Sequence, residues 1–402
     1  MSKSVSAPPL ASRLELLKPS ATATFHQRVV DLRTQGVDVL GFGVGEPDFA
    51  TPSHILEAAQ HALFTGATRY TSVRGLAPLR RAIARDSARR RGGVSHDEAE
   101  IVVSVGAKHS LFNVCFALLG PGDQALIPTP CWVSYPDQCQ LAGAEPVLLE
   151  TRVEDGYKLT PDALRKAITP QTRALFLCTP CNPTGAAYTA QELSALAEVL
   201  REHAIWIVVD EIYATLVYHG FAQRSLLEVA PDLRERIIVV DGVSKRFAMT
   251  GFRIGWMLAP RAVAAACDAL QGQTTTSPAT VTQYAALAAL EGPGEPVEQM
   301  RRAFEQRRDL VLSELARIPG IACRPPEGAF YAFIDVRAQL GRTLHGRLLS
   351  DDIALAELLL EQARVAVVPG SAFCAPGHLR LSYAASEADL VQGLSRMARL
   401  LG

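Results

Sequence analysis

From residue 53 to about 290 the chain alternates short apolar runs with amphipathic stretches, and that rhythm leaves few folds open. The runs at 100–105, 124–128, 145–149, 173–178, 205–210, 236–241 and 254–259 read as strands. The stretches at 53–65, 76–91, 107–118, 132–142, 189–203 and 260–271 carry helical spacing. Strands that are apolar on both faces need cover on both sides. The alternation therefore predicts an α/β fold, a mostly parallel seven-stranded sheet covered by helices.

The flanks read differently. Residues 1–52 are punctuated by Pro8, Pro9, Pro19, Pro47 and Pro52 and read as an arm with one short strand, 37–42. Beyond the break Glu291-Gly292-Pro293-Gly294-Glu295-Pro296, a charged helix is expected over 296–317. Short strands near 321–323, 329–335 and 378–383 and a helix near 351–362 follow. This mixed rhythm suggests a smaller α+β domain, so a chain of 402 residues divides into 1–52, 53–295 and 296–402.

Acidic and basic residues nearly cancel, with a formal net charge of −1, which excludes the basic footprint of a nucleic-acid binder. No apolar run is long enough to span a bilayer, and the first residues carry no hydrophobic signal core, so a cytoplasmic protein is expected. The eight cysteines are scattered and suggest no metal site. Cys178 and Cys181 form a lone C-x-x-C, read as small apolar residues in a reducing compartment rather than a redox pair.

Five segments carry candidate chemistry, each with an ordinary alternative. Lys245 follows the run 236–241, with Ser244 before it and Arg253 eight residues on. A lysine at a strand's carboxyl edge reaches a crevice where a Schiff base can form, with Ser244 and Arg253 as phosphate donors. Alternatively it is a surface lysine beside a capping serine. Asp210 ends an apolar strand, where a carboxylate needs a cation such as a protonated pyridine nitrogen; a helix cap or a metal-binding acid are the alternatives. Asn182, in Cys178-Thr179-Pro180-Cys181-Asn182-Pro183, offers an amide donor or merely a turn. Gly106-Ala107-Lys108 joins strand to helix in an anion-binding arrangement or a plain tight turn. Arg380 lies in a late apolar strand and needs a buried carboxylate, from a substrate or from the chain itself. Gly41-Phe42-Gly43-Val44-Gly45 lacks the spacing and the following helix of a dinucleotide fingerprint.

Order and spacing add what the single segments lack. Gly45-Glu46-Pro47-Asp48-Phe49, Arg69-Tyr70, Gly106-Ala107-Lys108, Trp132-Val133-Ser134-Tyr135, Asn182-Pro183-Thr184-Gly185, Asp210-Glu211-Ile212-Tyr213, Ser244-Lys245, Arg253 and Arg380 together resemble the fold type I pyridoxal 5′-phosphate (PLP) enzymes. The likeness is to the bacterial branch of the aspartate aminotransferase family. It implies a large PLP-binding domain, with the arm and the C-terminal part forming the small one.

The resemblance also implies roles. Lys245 carries the cofactor and moves the substrate proton. Asp210 pairs with the ring nitrogen, Asn182 and Tyr213 donate to the 3′-oxygen, and Trp132 stacks on the ring. Gly106, Ala107, Lys108, Ser244 and Arg253 hold the phosphate, joined by Tyr70 of a neighbouring subunit in a homodimer. Arg380, Asn182 and Gly45 take the substrate α-carboxylate. Trp132 also contacts the substrate, and Lys108 and the segment Lys18-Pro19-Ser20-Ala21-Thr22 point to aspartate or glutamate as donor and a 2-oxo acid as acceptor. Prephenate, assisted by Arg13, is an extension. Cys131 and Cys181 depart from the family's Tyr and Asn and bear on pocket shape. A different amino-acid specificity, a C–S lyase, a PLP-sensing regulator and an NAD enzyme are the competing readings.

Overall fold

The structure, a computed structural model, describes residues 10–17 and 21–402. Lys18, Pro19 and Ser20 of the acidic-substrate segment lie outside the described residues.

All seven apolar runs enter one sheet. Its order is Ile101–Val105, Ile254–Leu258, Ile237–Gly242, Trp206–Asp210, Thr172–Cys178, Gln124–Thr129, Glu145–Glu150. Every pairing is parallel except those of Ile254–Leu258, which runs against both neighbours. Alternate residues of each strand feed two cores, as the pleat requires. Val103, Leu175, Val209, Val239 and Trp256 face one, while Val102, Phe176, Val208, Val240 and Met257 face the other. These ten side chains are at most 2% exposed.

A third apolar cluster surrounds an antiparallel sheet ordered Val368–Pro369, His378–Ser382, Tyr331–Asp335, Ala322–Cys323. The helices Glu295–Leu315 and Glu387–Leu401 contribute Phe304, Val311, Leu390 and Leu394 to it.

The arm departs from its expectation. The strand expected over 37–42 shortens to Leu40–Gly41, because its partner Val365–Ala366 offers only two residues for pairing. The helix Ala21–Thr34 precedes it where none was expected. Its Val29 packs with Val39, Leu360 and Ala366, so contacts far along the chain support a helix of weak amphipathic pattern. The helices Pro161–Ala167 and Thr280–Glu291 were likewise not anticipated. The expected helix 351–362 is Asp352–Leu358, continued by a π turn, Leu359–Ala363, and ended by Arg364 in the left-handed region.

Candidate active site

Six strands of the large sheet point the same way, so their carboxyl ends share one edge, where crevices form. Asp210 ends Trp206–Asp210, Ser244 and Lys245 lie just past Ile237–Gly242, Asn182 lies past Thr172–Cys178, and Gly106 follows Ile101–Val105. Arg253 precedes the reversed strand Ile254–Leu258, and reversal delivers it to the same edge. Across the gap come Arg380, from the small sheet, and Gly45, from the segment after Leu40–Gly41. They enclose a cavity of about 350 Å³, also lined by Ala107, Lys108, Trp132 and Tyr213.

The Lys245 amine donates to the carbonyl oxygen of Gly45 at 2.6 Å. Loss of hydration lowers its pKa to about 8; Glu46 and Asp210 oppose that fall, while Arg253 and Arg380 add to it. Near neutrality a usable fraction is therefore the free, nucleophilic amine.

Asp210 is 6% exposed. Its Oδ2 accepts from the Tyr135 hydroxyl at 2.8 Å and its Oδ1 from the Ile212 amide at 3.1 Å. Burial raises its pKa to about 6; those two donors resist the rise, and Asp241 and Glu211 reinforce it. No cation hydrogen bonds to this carboxylate among the described residues, so the cavity side is where one would be accepted.

Arg380 is 2% exposed. It donates to Asn182 Oδ1 at 2.8 Å and to the Gly43 carbonyl at 2.6 Å, and its guanidinium lies over the rings of Tyr331 and Phe373. Among the described residues no carboxylate pairs with it, and its Nε has no partner. The alternative of an internal salt bridge therefore finds no acid. Burial pulls its pKa below the usual value, with Tyr331 and Tyr213 opposing. Because Asn182 accepts through its oxygen, its amide NH₂ is left to donate. Tyr213 and Tyr331 exchange a hydroxyl hydrogen bond at 2.7 Å beside it.

An anion cradle occupies the other end. Gly106, at φ +83°, caps the helix Ala107–Leu118, whose first amide groups have no partner within the helix. A Cβ on Gly106 would meet the Arg253 guanidinium at 2.6 Å, and one on Gly255 would meet the Ala107 nitrogen at 2.1 Å. Two glycines thus let the arginine, the reversed strand and the helix N-terminus converge. Lys108 is exposed, with its amine 5.2 Å from the centre of the Trp132 ring. Partial burial and then Arg253 lower its pKa.

One expected residue stands apart: Tyr70 is 90% exposed and lines no part of the cavity. Arg13 is exposed on the 3₁₀ turn Ser12–Leu16. Sequence reasoning gave no site role to Tyr135, Tyr331, Cys178 or the backbone of Gly43, all of which line the cavity. Tyr135 had a signal, being three residues past Trp132; Tyr331 had none, since its partner Tyr213 is 118 residues away. Cys131 and Cys181 stand behind the cavity wall with Cys178. None of the eight cysteines forms a disulfide, and a hydrogen bond with Cys181 and then burial raise the Cys178 pKa well above the usual range. No described helix is long and apolar enough to cross a membrane.

Comparison with known proteins agrees along nearly the whole length. The chain is 45% identical to the aspartate aminotransferase of Geobacillus stearothermophilus, over 98% of each protein. It is 43% identical to the aspartate/prephenate aminotransferase of Cereibacter sphaeroides, over 96% of this chain and 97% of that protein. The crystal structure of the Rhizobium meliloti aspartate aminotransferase superposes with a TM-score of 0.95 at 40% identity, covering 98% of this chain and 99% of that one. The Thermus thermophilus aspartate aminotransferase with maleate gives 0.92 at 42% identity, covering 98% of this chain and 100% of that one. Residues 37–397 match the sequence pattern of the aminotransferase class I and II family, and the chain belongs to that family.

Proposed function

We propose that this chain is a cytoplasmic, homodimeric, PLP-dependent aminotransferase that moves an amino group between aspartate or glutamate and 2-oxoglutarate or oxaloacetate. The observation that carries the reading is the buried Arg380 guanidinium, which has no acid of its own and shares one cavity with Lys245 and Asp210.

The residues present fit PLP. The cradle of Gly106, Ala107, Lys108, Ser244 and Arg253 suits a phosphate dianion. Asp210, raised to about 6 by burial, suits a protonated ring nitrogen and would hold the proton there. The amide NH₂ of Asn182 and the Tyr213 hydroxyl would donate to the 3′-oxygen, and Trp132 would cover one ring face. When bound, the cofactor supplies an electron sink for the pair left on substrate Cα.

The protein does the rest. Arg380 forks onto the α-carboxylate and fixes the Cα–H bond toward Lys245. Lys245 would carry the cofactor, and its free amine is the base placed to take and return the Cα proton. Lys108, at the mouth, meets a second carboxylate. The Thermus relative was solved with maleate, a dicarboxylate, which supports the acidic preference. Tyr70, exposed in the single chain, would complete the phosphate site of a second copy.

Purified protein tested with an amino-acid panel against 2-oxoglutarate and oxaloacetate decides the matter. Aspartate and glutamate should turn over fastest, and borohydride should fix PLP on Lys245. Release of pyruvate and ammonia without transamination would instead indicate a lyase. Prephenate as acceptor is a second reading, favoured by the contact of the turn bearing Arg13 with the helix Ser134–Leu141 beside the cavity. Arg13→Ala should then impair prephenate turnover alone.

A further inference from the structure

Behind the carboxyl edge of the sheet lies a cluster of six charged side chains, none of which lines the cavity: Asp86, Arg90, Arg91, Glu211, Asp241 and Arg246. Arg91 is 1% exposed, Glu211 2% and Asp241 3%. Arg91 donates to Glu211 at 2.7 Å and to Asp241 at 2.8 Å. Arg90 joins Asp241 to Asp86, and Arg246 donates to Asp86 at 2.8 Å. Ser225 closes the set on Glu211 at 2.5 Å.

Stability alone is a poor reason for such a cluster. Removing three acids and three guanidinium groups from water costs several kcal/mol per ion, and apolar replacements of similar volume are often neutral or better. Its position in the chain is more telling. Glu211 follows Asp210, Asp241 opens the turn that carries Lys245, and Arg246 follows Lys245. Consecutive side chains diverge, so as Asp210 and Lys245 enter the cavity their neighbours enter the cluster.

The turn after Gly242 is held from within by the apolar burial of Phe247 and Met249 and by backbone hydrogen bonds from Phe247 to Val243 at 3.1 Å and from Met249 to Ser244 at 3.2 Å, and Thr51 donates to the Ala248 carbonyl at 2.6 Å. The hydrogen bond from Arg246 to Asp86, on the helix Ala77–Arg90, supplies a directional anchor. Arg246 Nε has no partner, so the bond to Asp86 is the side chain's directional tie to that helix.

We infer that Arg246 is a positioning residue: paired with Asp86, it fixes the turn so that the Lys245 amine points at the cavity opposite Asp210. This rests on the reading of Lys245 as the PLP-bearing lysine, but its main test needs no cofactor. The charges that act most on the Lys245 amine are Glu46, Arg253, Arg380 and Asp210, and Arg246 is not among them. Loss of the Arg246 charge should therefore leave the amine's proton affinity alone unless the turn moves.

The experiment is competitive acetylation of Lys245 across pH in the full-length apoprotein, read by peptide mass spectrometry, for wild type, Arg246→Gln and Arg246→Lys. Circular dichroism checks folding. A loosened turn hydrates the amine, so Arg246→Gln should raise the apparent pKa by about one unit. The PLP-loaded variant should lose about tenfold in kcat with KM changed less than about threefold. Arg246→Lys keeps every charge but loses reach and fork geometry, so it should shift in the same direction by less. It decides the case if Arg246→Gln does not fold. A folded variant with wild-type labelling and wild-type kcat would overturn the inference. Wild-type protein that never turns yellow with PLP would instead overturn the proposed function, and the labelling result would still stand.

Discussion

The Tyr135 hydroxyl donates to Asp210 Oδ2 at 2.8 Å, and both groups are buried at the floor of the cavity. The bond holds down a carboxyl whose pKa burial would otherwise push beyond about 6. It also locks the carboxylate's orientation toward the space where a ring nitrogen would sit.

A pH dependence follows. In the apoprotein the Asp210 carboxyl titrates near 6, against 3.8 for the free group, so the folded chain binds this proton more tightly than the unfolded chain. The stability linked to it is fully present below pH ~4 and is lost as pH rises through about 6. The loss is on the order of 3 kcal/mol, taking about 1.4 kcal/mol per unit. The wild-type apoprotein's thermal midpoint should fall across pH 4–7 more steeply than that of Asp210→Asn, measured in parallel. Tyr135→Phe should move the fall to higher pH. Equal slopes for wild type and Asp210→Asn would count against the assignment.

Arg380→Met should separate stability from function. The guanidinium is buried without an acid, so the apoprotein should keep or gain stability, by up to about 4 kcal/mol. Turnover should nevertheless fall by a factor of about 10² or more, as expected when a buried charged partner is lost. A dicarboxylate such as maleate should raise the wild-type thermal midpoint and leave that of the variant unchanged. Calorimetry with and without maleate checks both halves.

Lys108→Ala should raise KM for aspartate by about tenfold while changing KM for alanine less than about twofold, since only aspartate has a distal carboxylate to lose. Burial and Arg253 lower the Lys108 pKa, so the wild-type preference for aspartate should decline on the alkaline side before an ordinary lysine would lose its charge. Steady-state kinetics on both substrates across pH tests this. Equal effects on the two amino acids would remove the acidic assignment.

Gly106→Ala should weaken the anion cradle without replacing any functional side chain. The backbone there, at φ +83° and ψ 161°, belongs almost entirely to glycine, and the new Cβ would press on Arg253 at 2.6 Å. Strain of about 1–3 kcal/mol is expected. PLP affinity, measured by equilibrium dialysis, should fall about tenfold or more. Inorganic phosphate at high concentration should protect the wild type better than the variant against heat.

How much was legible beforehand can be read from particular residues. The seven strands were visible because each is apolar on both faces and bounded by turn residues, a purely local pattern. Lys245, Asp210, Asn182 and Gly106 were visible because strand ends and turns place them on one edge whatever the loops do. The helix Ala21–Thr34 was hidden because its stability comes from Val39, Leu360 and Ala366 rather than from its own spacing. The tertiary structure alone decided three things: that Arg380 meets Asn182 and a backbone carbonyl instead of an acid, that Tyr331 faces Tyr213, and that Arg246 reaches Asp86 across 160 residues. The physical reason is shared. Local pattern reports which face of an element avoids water, but a buried charge is defined by the partner it meets, and that partner is brought near only when the whole chain has folded.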